Sequence, residues 1–238
     1  MVYGLIPAAG KGVRMLPLTD EVPKPLIKVY GKPMIEYSID QLKNMGVEEI
    51  VVALHYKKDE IRDYLESKDF GVDITFSYPD KLLGLAYSIY SAKDIIDDTF
   101  VVHLPDNIFT QKCRYALDAH HKEGASVTMI VERGDPEGRY ETLKMNGNVI
   151  LDIIEKADVS FGYRGTGIYI FEPSFFEYCR AEECSERGEF ELQTVIKRMI
   201  GDGKKVVGIE IRGGRLEITT KDDIDMVENK LGLMDTNG

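Results

Sequence analysis

Short apolar runs rich in valine and isoleucine recur along the chain, at Val2 to Ile6, Ile50 to Leu54, Val72 to Phe76, Phe100 to Leu104, Val127 to Val131 and Val206 to Ile211. Amphipathic stretches lie between them, the alternation that builds a sheet with helices on its faces. Pro33 suits a first helical turn, and Ile35, Ile39, Leu42 and Met45 then repeat at helical spacing until Gly46 ends the pattern. Asp59 to Glu66 and Leu85 to Ile96 predict the next two helices. This half of the chain reads as repeated β-α-β units and a mostly parallel sheet.

From about residue 125 strand-like runs follow one another, with turns expected at Gly134 to Gly138 and Asn146 to Asn148. Antiparallel or edge strands are expected there. Helices are expected from Phe190 to about Ile200 and from Asp222 to Leu231, and Asp235 to Gly238 reads as a frayed tail. Without a linker, repeat or low-complexity tract, residues 1–238 are expected to form one domain.

Composition narrows the class. The 238 residues suffice for a substantial core, and 41 acidic against 30 basic residues leave a net charge of −11. Such a surface repels nucleic acid and anionic membrane unless its cations are gathered into one patch. Cys113, Cys179 and Cys184 form no C-x-x-C pair, and three cysteines suit a reducing compartment. With no signal-peptide core and no apolar run near the roughly 20 residues of a membrane span, the expected address is cytoplasmic. His55, His103, His120 and His121 lack metal-binding spacing and read as surface or core residues.

The most informative stretch follows the first strand: Leu5-Ile6-Pro7-Ala8-Ala9-Gly10-Lys11-Gly12-Val13-Arg14-Met15. Its small residues let backbone N–H groups approach phosphate oxygens, at a place where a helix N-terminus adds positive potential. It lacks the G-x-x-x-x-G-K-[ST] of a Walker loop and the third glycine of a dinucleotide fingerprint. Alone it fits phosphate binding or a tight turn. Leu16-Pro17-Leu18-Thr19 and Pro23-Lys24-Pro25-Leu26 follow, and the two prolines clamp the backbone around Lys24.

Together, Pro7 to Tyr37 resembles the signature of sugar-1-phosphate nucleotidyltransferases, most closely the glucose-1-phosphate thymidylyltransferase branch. The resemblance implies a Rossmann-like, doubly wound, mixed α/β sheet. It implies a Mg²⁺-dependent reaction of a nucleoside triphosphate, dTTP or UTP, with a sugar 1-phosphate such as glucose 1-phosphate, giving a nucleotide sugar and pyrophosphate. On this resemblance Ala8, Ala9, Gly10, Lys11 and Gly12 bind nucleotide, Arg14 binds the β and γ phosphates, and Lys24 binds the α phosphate. Leu104-Pro105-Asp106-Asn107-Ile108-Phe109 resembles the family's G-D-N-I-F segment, which makes Asp106 a magnesium ligand. Ile154-Glu155-Lys156 resembles its E-K-P segment, assigning Glu155 to the sugar and Lys156 to its phosphate, with Thr166 and Gly167 as further sugar contacts.

Arg215-Leu216-Glu217-Ile218-Thr219-Thr220 stands where the family has W-L-D-T-G-T, so Glu217 is the expected second metal ligand, one methylene longer than aspartate. Gly84-Leu85-Ala86 resembles the family's base-facing G-L-A, but Tyr78 to Leu83 offers no counterpart of the glutamine that reads the base. Glu141, in Gly138-Arg139-Tyr140-Glu141, replaces a family glycine beside the sugar. These departures leave open a cytidylyltransferase for phosphocholine or inositol phosphate, and a nucleotide-binding regulatory module without turnover. A homo-oligomer is compatible with the resemblance.

Overall fold

The computed structural model describes residues 1–134, 142–154, 162–179 and 188–235. In chain order these form β1 (Tyr3–Pro7), α1 (Leu18–Glu21), β2 (Lys28–Val29), β3 (Lys32–Pro33), α2 (Met34–Met45), β4 (Glu49–Ala53) and α3 (Lys58–Glu66). Then come β5 (Asp73–Ser77), α4 (Leu85–Tyr90), β6 (Phe100–His103), β7 (Asn107–Phe109), α5 (Arg114–Glu123), β8 (Val127–Gly134), β9 (Thr142–Asn146), β10 (Val149–Ile154) and β11 (Gly162–Phe171). The chain continues through α6 (Phe175–Tyr178), α7 (Leu192–Gly201), β12 (Val206–Glu210), β13 (Arg215–Glu217) and α8 (Asp222–Asp235).

One nine-stranded sheet runs β5-β4-β1-β6-β11-β8-β12-β10-β9. The first four neighbours pair in parallel, as the β-α-β pattern predicts. Beyond β6 the sheet becomes mixed: β11 is antiparallel to β6 and β8, β12 is parallel to β8, and β10 is antiparallel to β12 and β9. The antiparallel strands expected after residue 125 are therefore present. Alternation along each strand feeds two cores. Leu5, Val51, Phe100 and Val102 face α4 and α7, while Ile6, Ile50, Val52 and Val101 face α2, α3 and α5.

Three helix ends differ from the sequence expectation, the first being α8, expected to stop at Leu231 and running to Asp235. Predicted to reach Ile96, α4 stops at Tyr90, because Ala92 and Lys93 bond back three residues to Ile89 and Tyr90 and the Ser91 hydroxyl caps the Ser88 carbonyl at 2.7 Å. Predicted to begin at Phe190, α7 begins at Leu192, since the Phe190 carbonyl is taken by the Ala86 N–H at 3.1 Å. The turn expected at Gly134 to Gly138 falls largely outside the described residues, and so does most of the expected tail, 236–238.

Strand order reverses between β1 and β6: β4 and β5 build outward on one side of β1, and β6 joins on the other. Open α/β sheets bind ligands at such a point, beyond the carboxyl ends of the strands. The loops leaving β1 and β6 are the glycine loop and Leu104-Pro105-Asp106.

Candidate active site

Pro7 ends β1, but the ladder runs one step further, with Ala8 N–H donating to the Ala53 carbonyl at 2.9 Å. The Ala9 carbonyl accepts from Tyr56 N–H at 3.2 Å, so the loop starts from a fixed base. At Gly12 the backbone turns left-handed, with φ of 64°, and a Cβ there would sit 3.0 Å from Thr19 Cγ2 and 3.1 Å from Lys24 Cβ. Only glycine suits both the turn and the approach, which brings the loop down on the Lys24 stem. The Thr19 hydroxyl locks it from the other side by donating to the Gly12 carbonyl at 3.1 Å.

Lys24 begins a short 3-10 turn, Lys24–Leu26, held between Pro23 and Pro25. Its Nζ lies 3.0 Å from Asp106 Oδ2, the first carboxylate beyond β6. The other Asp106 oxygen accepts from Asn107 Nδ2 at 2.8 Å. Together they border a cleft of about 280 Å³ lined by Ala8, Gly10, Gly12, Arg14, Lys24 and Asp106, with Met34, Leu85 and Leu104 as apolar walls. Its size, close to the lower end of ligand pockets, and its convergent charges suit a small polar ligand.

Asp106 is joined to the region around Glu217 by an antiparallel ribbon, in which Glu217 lies opposite Asn107 and Leu216 opposite Ile108. The Ile218 N–H donates to the Asp106 carbonyl at 2.9 Å. Two sequence-expected metal carboxylates, far apart in the chain, thus share one ribbon. Glu217 Oε2 lies 3.2 Å from Arg215 Nη2. Two carboxylates are hard oxygen donors of the kind magnesium takes while keeping water and substrate phosphate as its other ligands. Among the described residues no three histidine, cysteine or acidic side chains gather into a cation cage.

Some expected residues stand elsewhere. Lys11 is exposed and does not line the cleft, and Ala9 is buried behind it. Thr166 is buried and its hydroxyl donates to the Ile130 carbonyl at 2.8 Å, so its side chain turns into the sheet. It belongs to an irregularity of β11 between Gly165 and Tyr169 that carries the Gly167 carbonyl to the Leu104 N–H at 2.9 Å, beside the site. Gly84 presses on the backbone of Phe190, and its neighbour Leu85 is the one that lines the cleft. Glu155, Lys156, Arg139, Tyr140 and Glu141 lie outside the described residues.

Sequence reasoning missed Asp223. At the start of α8 its Oδ2 accepts from Thr219 N–H at 2.8 Å, Thr220 N–H at 2.7 Å and the Thr220 hydroxyl at 3.0 Å. Burial pushes this carboxyl up, but those donors and the Lys24 charge outweigh it and hold the group below the usual range. The T-x-x-D spacing of a helix start was its available signal. His103, the last residue of β6, is fully buried, and burial drives its pKa down to about 4 against the opposing pull of Asp106. It is neutral at physiological pH.

A cleft at the switch point of a doubly wound sheet, lined by Arg14, Lys24 and Asp106, is the arrangement that α/β proteins binding nucleotide phosphates use. The nucleotidyl transferase family pattern matches residues 3–222, and the chain belongs to that family. UTP–glucose-1-phosphate uridylyltransferase AglF of Haloferax volcanii is 34% identical over 234 residues, covering 97% of this chain and 96% of that protein. The bifunctional protein GlmU of Methanocaldococcus jannaschii is 32% identical over 210 residues, which are 88% of this chain but 49% of GlmU. A protein described as a glucose-1-phosphate thymidylyltransferase of Bacillus anthracis superimposes with a TM-score of 0.85 at 25% identity, over 97% of this chain and 95% of that one. UDP-glucose pyrophosphorylase bound to UDP-glucose shares the fold with a TM-score of 0.86 at 19% identity, over 98% and 100% of the two chains. Among the described residues no helix is long and apolar enough to cross a membrane.

Proposed function

We propose that this chain is a cytoplasmic nucleotidyltransferase of one domain that joins UTP or dTTP to glucose 1-phosphate, yielding a nucleotide sugar and pyrophosphate. The observation that carries this reading is the Lys24–Asp106 pair, 3.0 Å apart across the floor of the cleft, with Gly10, Gly12 and Arg14 on its rim. The likeness to AglF, a UTP–glucose-1-phosphate uridylyltransferase matched along nearly its whole length, favours UTP and glucose 1-phosphate.

The attacking group is a phosphate oxygen of the sugar phosphate, already anionic at neutral pH, so the reaction needs no general base. Alignment of two polyanions and neutralisation of developing charge carry the rate. The backbone of the glycine loop cradles the triphosphate, and Arg14 draws charge toward the departing pyrophosphate. Lys24 exchanges its contact with Asp106 for the α phosphate. Glu155 grips the sugar and Lys156 its phosphate. Asp106 and Glu217 would hold Mg²⁺, which would supply Lewis-acid neutralisation of phosphate charge. Leu85, Leu104 and Met34 give the cleft low-dielectric walls, where each charge contact counts for more than in water.

The test is pyrophosphate release from each nucleoside triphosphate against glucose, mannose and N-acetylglucosamine 1-phosphates, inositol phosphate and phosphocholine. Release with UTP or dTTP and glucose 1-phosphate is expected. Preference for CTP with an alcohol phosphate makes it a cytidylyltransferase. Triphosphate binding without release under any pairing makes it a binding module, and either outcome overturns the proposal.

A further inference from the structure

Arg215 replaces the tryptophan of the family motif with a cation, and its side chain is only 5% exposed. Its guanidinium meets Asn107, Glu132 and Glu217. Nη1 donates to Asn107 Oδ1 at 2.5 Å, while Nη2 lies 2.7 Å from Glu132 Oε1 and 3.2 Å from Glu217 Oε2. Asn107 passes the restraint on, since its Nδ2 holds the Asp106 oxygen that Lys24 does not. Glu132 is braced from behind by Arg164 Nη2 at 2.8 Å. Each carboxylate read above as a metal ligand therefore rests against a cation of the chain itself, Asp106 against Lys24 and Glu217 against Arg215.

We infer that Arg215 is a positioning residue: its fork fixes Glu217 and Asn107, and its charge opposes divalent-ion binding in the free enzyme, so that the ion enters with the triphosphate. The inference rests on Glu217 and Asp106 being the metal carboxylates. A planar fork suits the task, because one guanidinium can hold a carboxylate, an amide oxygen and a second carboxylate at once, which a lysine cannot. Buried on the ribbon and braced by Glu132, it cannot swing away to water as a surface lysine can. A cation approaching Glu217 meets a like charge in direct contact with that carboxylate, and the triphosphate supplies the negative charge that reverses the balance.

The experiment titrates Mn²⁺ alone into the nucleotide-free protein, followed by calorimetry and by loss of the free-ion spin signal. R215M should tighten Mn²⁺ binding about tenfold relative to wild type. R215K, which keeps the charge and loses the fork, should stay within threefold of wild type, and R215M/E217Q should fall back to the wild-type range. R215Q runs in parallel, so that a methionine variant that fails to fold leaves the question answerable. A gain of threefold or more in R215M or R215Q that E217Q cancels supports the inference. A smaller gain, a loss, an equal gain in R215K, or a gain that survives E217Q overturns it. Pyrophosphate release by the wild-type enzyme is read separately, so failure of the proposed reaction and failure of this inference give different results.

Discussion

Lys24→Met separates what the cleft does for stability from what it does for chemistry. Methionine keeps much of the stem that packs under Gly12 and removes the ammonium. At 3.0 Å the Lys24–Asp106 attraction is about 5 kcal/mol for an effective dielectric near 20. Desolvation offsets most of that, and the two side chains, 15% and 26% exposed, leave Asp106 open to rehydration once its partner is gone. The net loss of stability is therefore about 1 kcal/mol, roughly 2–4 °C in Tm. Turnover should suffer far more. One charge contact to the α phosphate contributes about 3–4 kcal/mol to the transition state, a loss of roughly a hundred- to a thousandfold in kcat/KM. The assay pairs continuous pyrophosphate release with thermal melting of the same preparation. Activity within about threefold of wild type would refute the role of Lys24, and so would a loss wholly accounted for by a collapsed melting point.

Three further outcomes are expected. Gly84→Ala places a Cβ 2.9 Å from both Phe190 N and O at a φ of 100°, so stability in urea should drop by about 3 kcal/mol; an unchanged midpoint would show that the 83–86 loop and Phe190 are not tightly joined. His103 has a folded pKa near 4, below the unfolded value of 6.5, so the unfolded chain binds the extra proton and stability falls as pH drops from 6.5 toward 4. His103→Leu should recover about 2 kcal/mol of the loss between pH 7 and 5, leaving the part due to His120, which burial also lowers; parallel pH curves for the two proteins would contradict this. Chelation by EDTA should abolish pyrophosphate release, restored by added Mg²⁺, while leaving Tm within about 1 °C, because no cage of three ligand side chains stands among the described residues. A large fall in Tm on chelation would point to a structural metal instead.

Sequence alone determined most of the longer elements and singled out the first loop. Val2 to Ile6 and Phe100 to Leu104 match β1 and β6 to within a residue, and the apolar repeat through Ile35, Ile39, Leu42 and Met45 matches α2, because burial of a strand or a helix face is a local, periodic demand. The candidate cleft was legible for the same reason: Gly12 and Lys24 sit close in the chain, so their approach needs only a turn.

Pairings across long stretches of chain were decided by tertiary structure. The insertion of β11 between β6 and β8, the Lys24–Asp106 contact spanning 82 residues, and the ribbon that sets Glu217 opposite Asn107 all depend on which strands meet, and no local period encodes a partner. Thr166 followed the same rule, since a motif match cannot tell which face of β11 its hydroxyl serves. Arg215 drew no role of its own from the sequence, because nothing local marks an arginine as buried. Only the fold shows that guanidinium buried between Glu132, Asn107 and Glu217.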